Sequence, residues 1–369
     1  MDGGQTTGGA LARRIRFTPS QPEGFRAALN ARVTEYLKGT SLSRVAGPGI
    51  YAKGFFYGCA AIAAYTSLLF IQPGGMVGLL LAALYGLSVL LLAINVSHDA
   101  AHRVLTGHRR ADAAIHRILF AAVGVDGHLW QLRHNGSHHI FPNVNGCDID
   151  IDENPLIRLS PNHARKAHHR VQHLYAPFLY MATLLHSVFW GDPVYLRKTA
   201  LANMRNIRHR RRDIMWFFIC KAVYLAVTIG VPLAVLPFAW WEVLLGYAFM
   251  TALMSLVFIA LLVGTHFSDE AVFPHPGLDG DLDTDWAVHQ LTTTLDWRPT
   301  SWLALAIAGG ANAHAAHHLF PYLSHRHYAA VTPIIRATAR DFGLPYHEAS
   351  FSGMVASHFR HLKRLGARD

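Results

Sequence analysis

Cysteine and charge are both scarce in this chain of 369 residues. Only three cysteines occur, Cys59, Cys147 and Cys220, and no two share a CxxC spacing. That excludes a disulfide framework, a thiolate zinc site and a cysteine-held iron–sulfur cluster. Charged residues make up 15% of the chain against 51% hydrophobic ones, and the mean hydropathy is +0.20. A mainly water-soluble enzyme is excluded by that balance. The net charge of +10 is not accompanied by any aromatic-and-basic recognition motif, which sets nucleic acid aside as a partner. An apolar h-region is also missing behind the small, polar start MDGGQTTGGALA, so no cleaved signal peptide is expected.

What the chain has instead is apolar residues in long blocks. Four are long enough to cross a bilayer, roughly Phe55 to Ile71, Met76 to Val96, Ile214 to Phe238 and Val243 to Val263. They pair as two hairpins. The hairpin turns, Gln72-Pro73-Gly74-Gly75 and Ala239-Trp240-Trp241-Glu242, carry no Lys or Arg, whereas the N-terminal arm, residues 103 to 212 and the C-terminal third are rich in both. The positive-inside rule then expects both termini and the central segment in the cytoplasm. Of the 33 cationic residues, only Lys221 is expected within a span, near its cytoplasmic end, where the stem snorkels or the ammonium meets a substrate headgroup. Two shorter apolar stretches, Ala113 to Val125 and Leu174 to Trp190, are interrupted by His116, Arg117, Pro177 and His186 and read as helices lying at the interface. Phe25, Leu29, Val33 and Tyr36 fall at helical spacing after Pro22. The expected architecture is all-α: a polytopic membrane protein with four transmembrane helices in two hairpins, interfacial helices and a cytoplasmic histidine-rich helical cap. Residues 1–24 are expected to be a flexible cytoplasmic arm and 25–369 one integral membrane domain.

Histidine is the residue in excess, at 25 copies. Three clusters stand out: His98-Asp-Ala-Ala-His102, His134-Asn-Gly-Ser-His138-His139 and His314-Ala-Ala-His317-His318. Residues i and i+4 of a helix project from one face, so His98 and His102 suit a common ion, and the adjacent imidazoles of the other boxes reach a second one. Eight nitrogen ligands exceed the four of a closed zinc site. The hairpins put all three boxes on one side of the membrane. His266, at the end of the fourth span, is level with them and is a ninth candidate. Asn95 lies one turn before His98, where it either holds a metal-bound water or hydrogen-bonds across helices. Asp99, Asp148, Asp150, Asp152 and Asp269 are near enough in sequence to orient ligand imidazoles. His108, His163, His168, His169, His209, His358 and His361 lie among Lys and Arg and read as solvated or headgroup-facing. None of the six glutamates is followed three residues later by histidine, so the Glu-x-x-His scaffold of soluble di-metal bundles is excluded.

The boxes, their order and their places after the second and fourth spans resemble the membrane-bound fatty acid desaturase superfamily. Further motifs resemble its acyl-lipid and front-end branch: Trp130-Gln-Leu-Arg-His134, Phe141-Pro-Asn-Val-Asn-Gly-Cys-Asp148-Ile-Asp150, Pro155-Leu-Ile-Arg158-Leu-Ser-Pro161, Gln290-Leu-Thr-Thr-Thr294 and Gly309-Gly-Ala-Asn312 with His317-His318-Leu-Phe-Pro321. The resemblance implies that His98, His102, His134, His138, His139, His266, His314, His317 and His318 bind two iron ions. It implies O2 as cosubstrate, a cis double bond as product, and no catalytic residues beyond the metal centre. It leaves three acyl carriers open: glycerolipid, acyl-CoA and acyl carrier protein. Many front-end members begin the third box with Gln, where this chain has His314, and carry a fused cytochrome b5 domain with an HPGG motif. Here His275-Pro-Gly reads as a turn, and electrons are expected from a separate ferredoxin- or cytochrome b5-like protein.

Other chemistries fit less well. A hydroxylase or acetylenase of the same superfamily differs only in how the oxidised chain partitions. A metal transporter places ligands near the bilayer midplane, whereas these boxes lie at span ends. A membrane zinc protease needs the Glu of HExxH, and position 99 is Asp.

Overall fold

Backbone polar groups in hydrocarbon have to be satisfied within their own segment, and the apolar blocks do this as helices. The computed structural model describes residues 15–152, 155–277 and 279–367. The expected arm lies in part outside the described residues, at 1–14; its remainder includes β1 (Arg16–Phe17), and helix α1 follows at Phe25–Thr40. α1 buries Phe25, Leu29 and Val33, the residues whose spacing predicted it.

The first hairpin consists of α2 (Pro48–Ile71) and α3 (Gly75–Ala101). α4 (Arg109–Ala122), α5 (Gly127–Arg133) and α6 (Gln172–Met181) follow. The second hairpin is α7 (Arg211–Val235) and α8 (Trp240–His266). Helices start or end beyond the apolar runs because intrahelical hydrogen bonding continues past the hydrocarbon boundary. As a result His98 and His266 sit inside the last turns of α3 and α8 rather than after them. For the same reason Lys53 lies within α2, so Lys221 is not the only lysine in a span. Met250 and Met254 of α8 pack so tightly on α3 that a Cβ on Gly86 would come within 2.5 Å of Met250. The hairpins share a core with α4 that contains Val89, Leu90, Phe120, Tyr224 and Met254.

Both stretches read as interfacial are helical and present apolar side chains outward: Ile118 on α4, then Leu174, Phe178, Phe189 and Trp190 in and after α6. β2 (Asp281–Leu282) pairs in parallel with β1, and Thr18 Oγ1 donates to Leu282 O at 2.9 Å. The C-terminal third forms α9 (Trp286–Thr292), β3 (Asp296–Trp297), α10 (Trp302–Ala308), α11 (His314–Leu319), α12 (Tyr328–Asp341), β4 (Glu348–Ala349) and α13 (Phe351–Gly366). β3 and β4 pair in parallel. α1, α9, α11 and α12 enclose a second core around Leu29, Leu291, Leu319 and Val331, over the ends of α3 and α8. α10 is a third outward-facing apolar helix, with Trp302 and Leu303 exposed, that the hydropathy pattern did not mark because it is only seven residues long.

Candidate metal centre

Each box is held in a different way. A π-turn, Ala93–Ser97, precedes His98, and the His98 and His102 rings then lie 4.9 Å apart between centroids. The second box continues from α5 as a π-turn of its own, His134–His138. The wider turn breaks the i, i+4 register of an α-helix, and His134 and His138, 5.7 Å apart between ring centroids, fall in different ligand groups. In α11 the α-helical rule holds: His314 and His318 share a face and His317 takes another.

The outcome is two four-histidine groups. One contains His98, His102, His134 and His317, the other His138, His266, His314 and His318, and within each the ligand atoms lie within 4.8 Å of one another. His139 stands between them, in a further group with His317 and His318, its Nε2 2.9 Å from His134 Nε2. All nine histidines singled out by the sequence therefore converge at one place.

Hydrogen bonds at the far side of each ring fix which nitrogen faces inward. His266 Nδ1 donates to Thr293 O at 2.8 Å, His314 Nδ1 to Ala311 O at 3.1 Å, and His318 Nδ1 to Gln290 Oε1 at 2.8 Å. With Nδ1 protonated in each, all three Nε2 atoms carry lone pairs. Yet His266 Nε2 lies 2.9 Å from His318 Nε2 and 2.8 Å from His314 Nε2. Lone pairs so close repel unless a cation lies among them. Two nitrogens each about 2.1 Å from a shared ion, at a right angle, are about 3.0 Å apart, so the donor set fits a metal. In the other group, buried His102 Nε2 and both ring nitrogens of His317 have no hydrogen-bond partner, which is unusual for buried polar atoms unless they are ligands.

Electrostatics agree. Burial, reinforced by neighbouring imidazoles, pushes His102, His134, His139, His317 and His318 well below the usual histidine range, and lowers His314 to about 3. These rings are neutral at physiological pH, the form that binds metal. His138 differs. Burial opposes its charge, but the Asp148 carboxylate outweighs burial and raises it to about 9. Both Asp148 oxygens lie 3.2 Å from His138 Nδ1, so the carboxylate accepts the Nδ1 proton, and a cation at Nε2 would take the place of the second proton that the ring carries at physiological pH.

The remaining candidates divide. Among the acids, Asp150 lies 3.6 Å from His138 Nδ1, Asp99 bonds to His325 and Ser324, Asp269 pairs with Arg360 and Arg364, and the side chain of Asp152 lies outside the described residues. Asn95 hydrogen-bonds across helices: its Nδ2 donates to Leu91 O and Ile307 O, and its Oδ1 accepts from Lys53. Lys221 neither snorkels nor faces a headgroup. Its Nζ donates to Gly124 O at 2.6 Å and to the buried Asp192 at 2.7 Å. His169, His358 and His361, read as solvated or headgroup-facing, are instead buried: His358 and His361 serve long-range hydrogen bonds, His358 to Tyr180 and Phe267 O and His361 to Leu159 O, while His169 Nδ1 accepts locally from Lys166 N. His108 and His168 are exposed as expected. The sequence reading missed the roles of Gln290 behind His318 and of Trp130, whose ring stacks on His134 with centroids 4.2 Å apart. Both lie in motifs it quoted.

Known proteins resemble this chain along almost its whole length. An sn-1 linoleoyl-lipid 6-desaturase of Arthrospira platensis is 28% identical over 93% of this chain and 92% of its own. An enzyme of the same name from Synechocystis sp. is also 28% identical, covering 96% and 98%. An acyl-lipid (8-3)-desaturase of Physcomitrium patens is 26% identical over 96% of this chain and 74% of its own. The fatty acid desaturase family model matches residues 74–350, which include all three boxes and His266, so this chain belongs to the fatty acid desaturase family and is an oxidoreductase of that kind.

Proposed function

We propose that the nine histidines hold two iron ions, and that the enzyme uses O2 and electrons from a separate carrier protein to introduce a cis double bond into a lipid-linked acyl chain. The observation that carries the metal assignment is the approach of His266 Nε2 to within 2.8–2.9 Å of both His314 Nε2 and His318 Nε2, with the lone pair of each set by a hydrogen bond at Nδ1. Iron bound there with O2 supplies an oxidant able to take hydrogen from a methylene, which no acid or base of a protein can do.

The chain's own residues orient, shield and anchor. Thr293 O, Ala311 O and Gln290 keep the imidazoles of His266, His314 and His318 in the Nδ1–H tautomer. Asp148 does the same for His138 and is itself fixed by the Asn143 backbone N–H at 2.9 Å. His317 and His318 are 1% and 0% exposed, so the third box is shut off from bulk water, which strengthens the electrostatic contacts around it, while His98, His102 and His134 are half-buried. The printed names of the relatives support a lipid-linked chain over acyl-CoA or acyl carrier protein as substrate. The lack of Lys and Arg in both hairpin turns supports a cytoplasmic cap and termini. Residues 25–369 are read as the desaturase unit and 1–24 as its arm.

Metal analysis of the purified protein together with lipid profiling of cells that express it tests this reading. About two irons per chain are expected, lost together with the unsaturated product in His138→Ala and His317→Ala. Zinc at one per chain, or a product heavier by one oxygen instead of lighter by two hydrogens, refutes it.

A further inference from the structure

The first transmembrane helix carries a half-buried cation that the metal assignment does not use. Lys53 lies in the second turn of α2, and each of its three N–H donors has an acceptor: Asn95 Oδ1 at 2.7 Å, His325 Nε2 at 2.9 Å and Leu305 O at 3.5 Å. With Nε2 accepting, His325 is a Nδ1–H tautomer, and it donates to Asp99 Oδ1 at 2.9 Å. The other Asp99 oxygen accepts from Ser324 Oγ at 2.6 Å. Asp99, Ser324 and His325 are all buried. Lys53, His325 and Asp99 thus form a hydrogen-bonded row in which one lysine faces one carboxylate through an imidazole. Half-buried against the anion-bearing end of α3, the lysine is neutralised in this way, and with every donor engaged it has none left for a lipid headgroup.

The row joins two of the three boxes that share an ion group. Asn95 and Asp99 flank His98 on α3, three residues before it and one after, while Ser324 and His325 belong to the segment that follows α11, which carries His317. The row ties the end of α3 to the segment after α11, and the first group draws His98 and His102 from one and His317 from just before the other.

We propose that Lys53 is a positioning residue of the metal centre, whose charge balances Asp99 and whose bonds to Asn95 and His325 keep the first and third histidine boxes in register for one of the two ions. This rests on the two-ion reading above. Neither a packing role alone nor headgroup binding requires that the charges of Lys53 and Asp99 be matched.

The test uses the full-length protein in detergent, titrated with Co(II) under anaerobic conditions, with visible absorption and bound metal per chain as readouts. Lys53→Met, Asp99→Asn and the double variant Lys53→Met/Asp99→Asn are compared with the parent. Each single variant is expected to bind one of the two ions about 10–100-fold more weakly, with that ion's absorption lost and the other's kept. The double variant, with both charges removed, is expected to recover most of the affinity. Parent-like affinity in both single variants, or a double variant weaker than either, overturns the proposal. A parent that binds fewer than two Co(II) ions counts against the two-ion reading instead. The same four proteins are then compared by thermal unfolding in EDTA, where each single variant has to lower Tm and the double has to restore it; additive losses there overturn the proposal as well.

Discussion

Gln290→Leu separates the two ion groups by a change that touches no ligand nitrogen. Gln290 is fully buried; its Oε1 accepts from His318 Nδ1 at 2.8 Å and its Nε2 donates to Ile140 O at 3.3 Å. Leucine fills a similar volume and removes both bonds. The His318 N–H then has no acceptor in a dry site, a loss of about 1–3 kcal/mol, and the ring is free to turn or to exchange tautomers. Loss of an outer hydrogen bond of this kind typically weakens metal binding about 10–100-fold, which is about 1.4–2.8 kcal/mol, so the two estimates agree. The loss should fall on the group of His138, His266, His314 and His318 and spare the other. Anaerobic Fe(II) titration with metal counting resolves the two steps. Gln290→Glu, which retains an acceptor at Oε1, should bind the second ion better than Gln290→Leu. If Gln290→Leu takes up both ions as the parent does, or loses both equally, the tautomer argument is wrong.

Three other perturbations have defined outcomes. A Cβ on Gly264 would collide with Met354 Sδ and lie 2.8 Å from Met354 O. Gly264→Ala should therefore push α8 and α13 apart and lower Tm by an amount equivalent to about 1–3 kcal/mol, and an unchanged melting curve would contradict this packing. Lys221→Met leaves the buried Asp192 carboxylate without its cation and should cost about 3–5 kcal/mol; pairing it with Asp192→Asn should recover most of that in chemical denaturation, and failure to recover would mean that the charge pair is not the cause. His358 is fully buried, and burial lowers it to about 4. The unfolded chain binds this proton near pH 6.5 and the folded one does not, so its contribution is complete above pH 6.5 and about 3 kcal/mol of it is lost as pH falls to about 4. Melting curves at pH 7.5 and 5 should differ less in His358→Gln than in the parent, and an equal difference would rule out His358 as a source of acid lability.

The parts of the fold that were legible in the sequence are those set by local pattern. Four apolar runs gave four long helices, since hydrocarbon leaves a backbone no other way to pair its polar groups. The nine histidines were legible because their spacing and their level relative to the spans coincided. What stayed hidden depends on contacts between distant segments. Lys53 and His325 are 272 positions apart, and nothing near Lys53 in sequence marks it as paired. His358 and His361 sit between basic residues that imply solvent, yet α13 turns those two inward while Arg360 and Arg364 face the acidic Asp269. Gln290 belonged to a quoted motif, but its acceptor role becomes visible only when α9 is set beside α11. The π-turn of the second box was hidden for a different reason: an i, i+4 histidine pair looks the same in sequence whichever pitch the backbone adopts.

That change of pitch governs how the two ions depend on each other. A regular α-helix would direct His134 and His138 to one ion. The His134–His138 π-turn makes a single short segment a shared wall, with one ligand on each side and His139 on the boundary. Unwinding this turn to α-helical pitch would not weaken one site and spare the other. It would transfer a ligand across the wall, leaving one ion over-supplied and its partner short, so the pair would fail together even though each ion keeps ligands from two other boxes or helices.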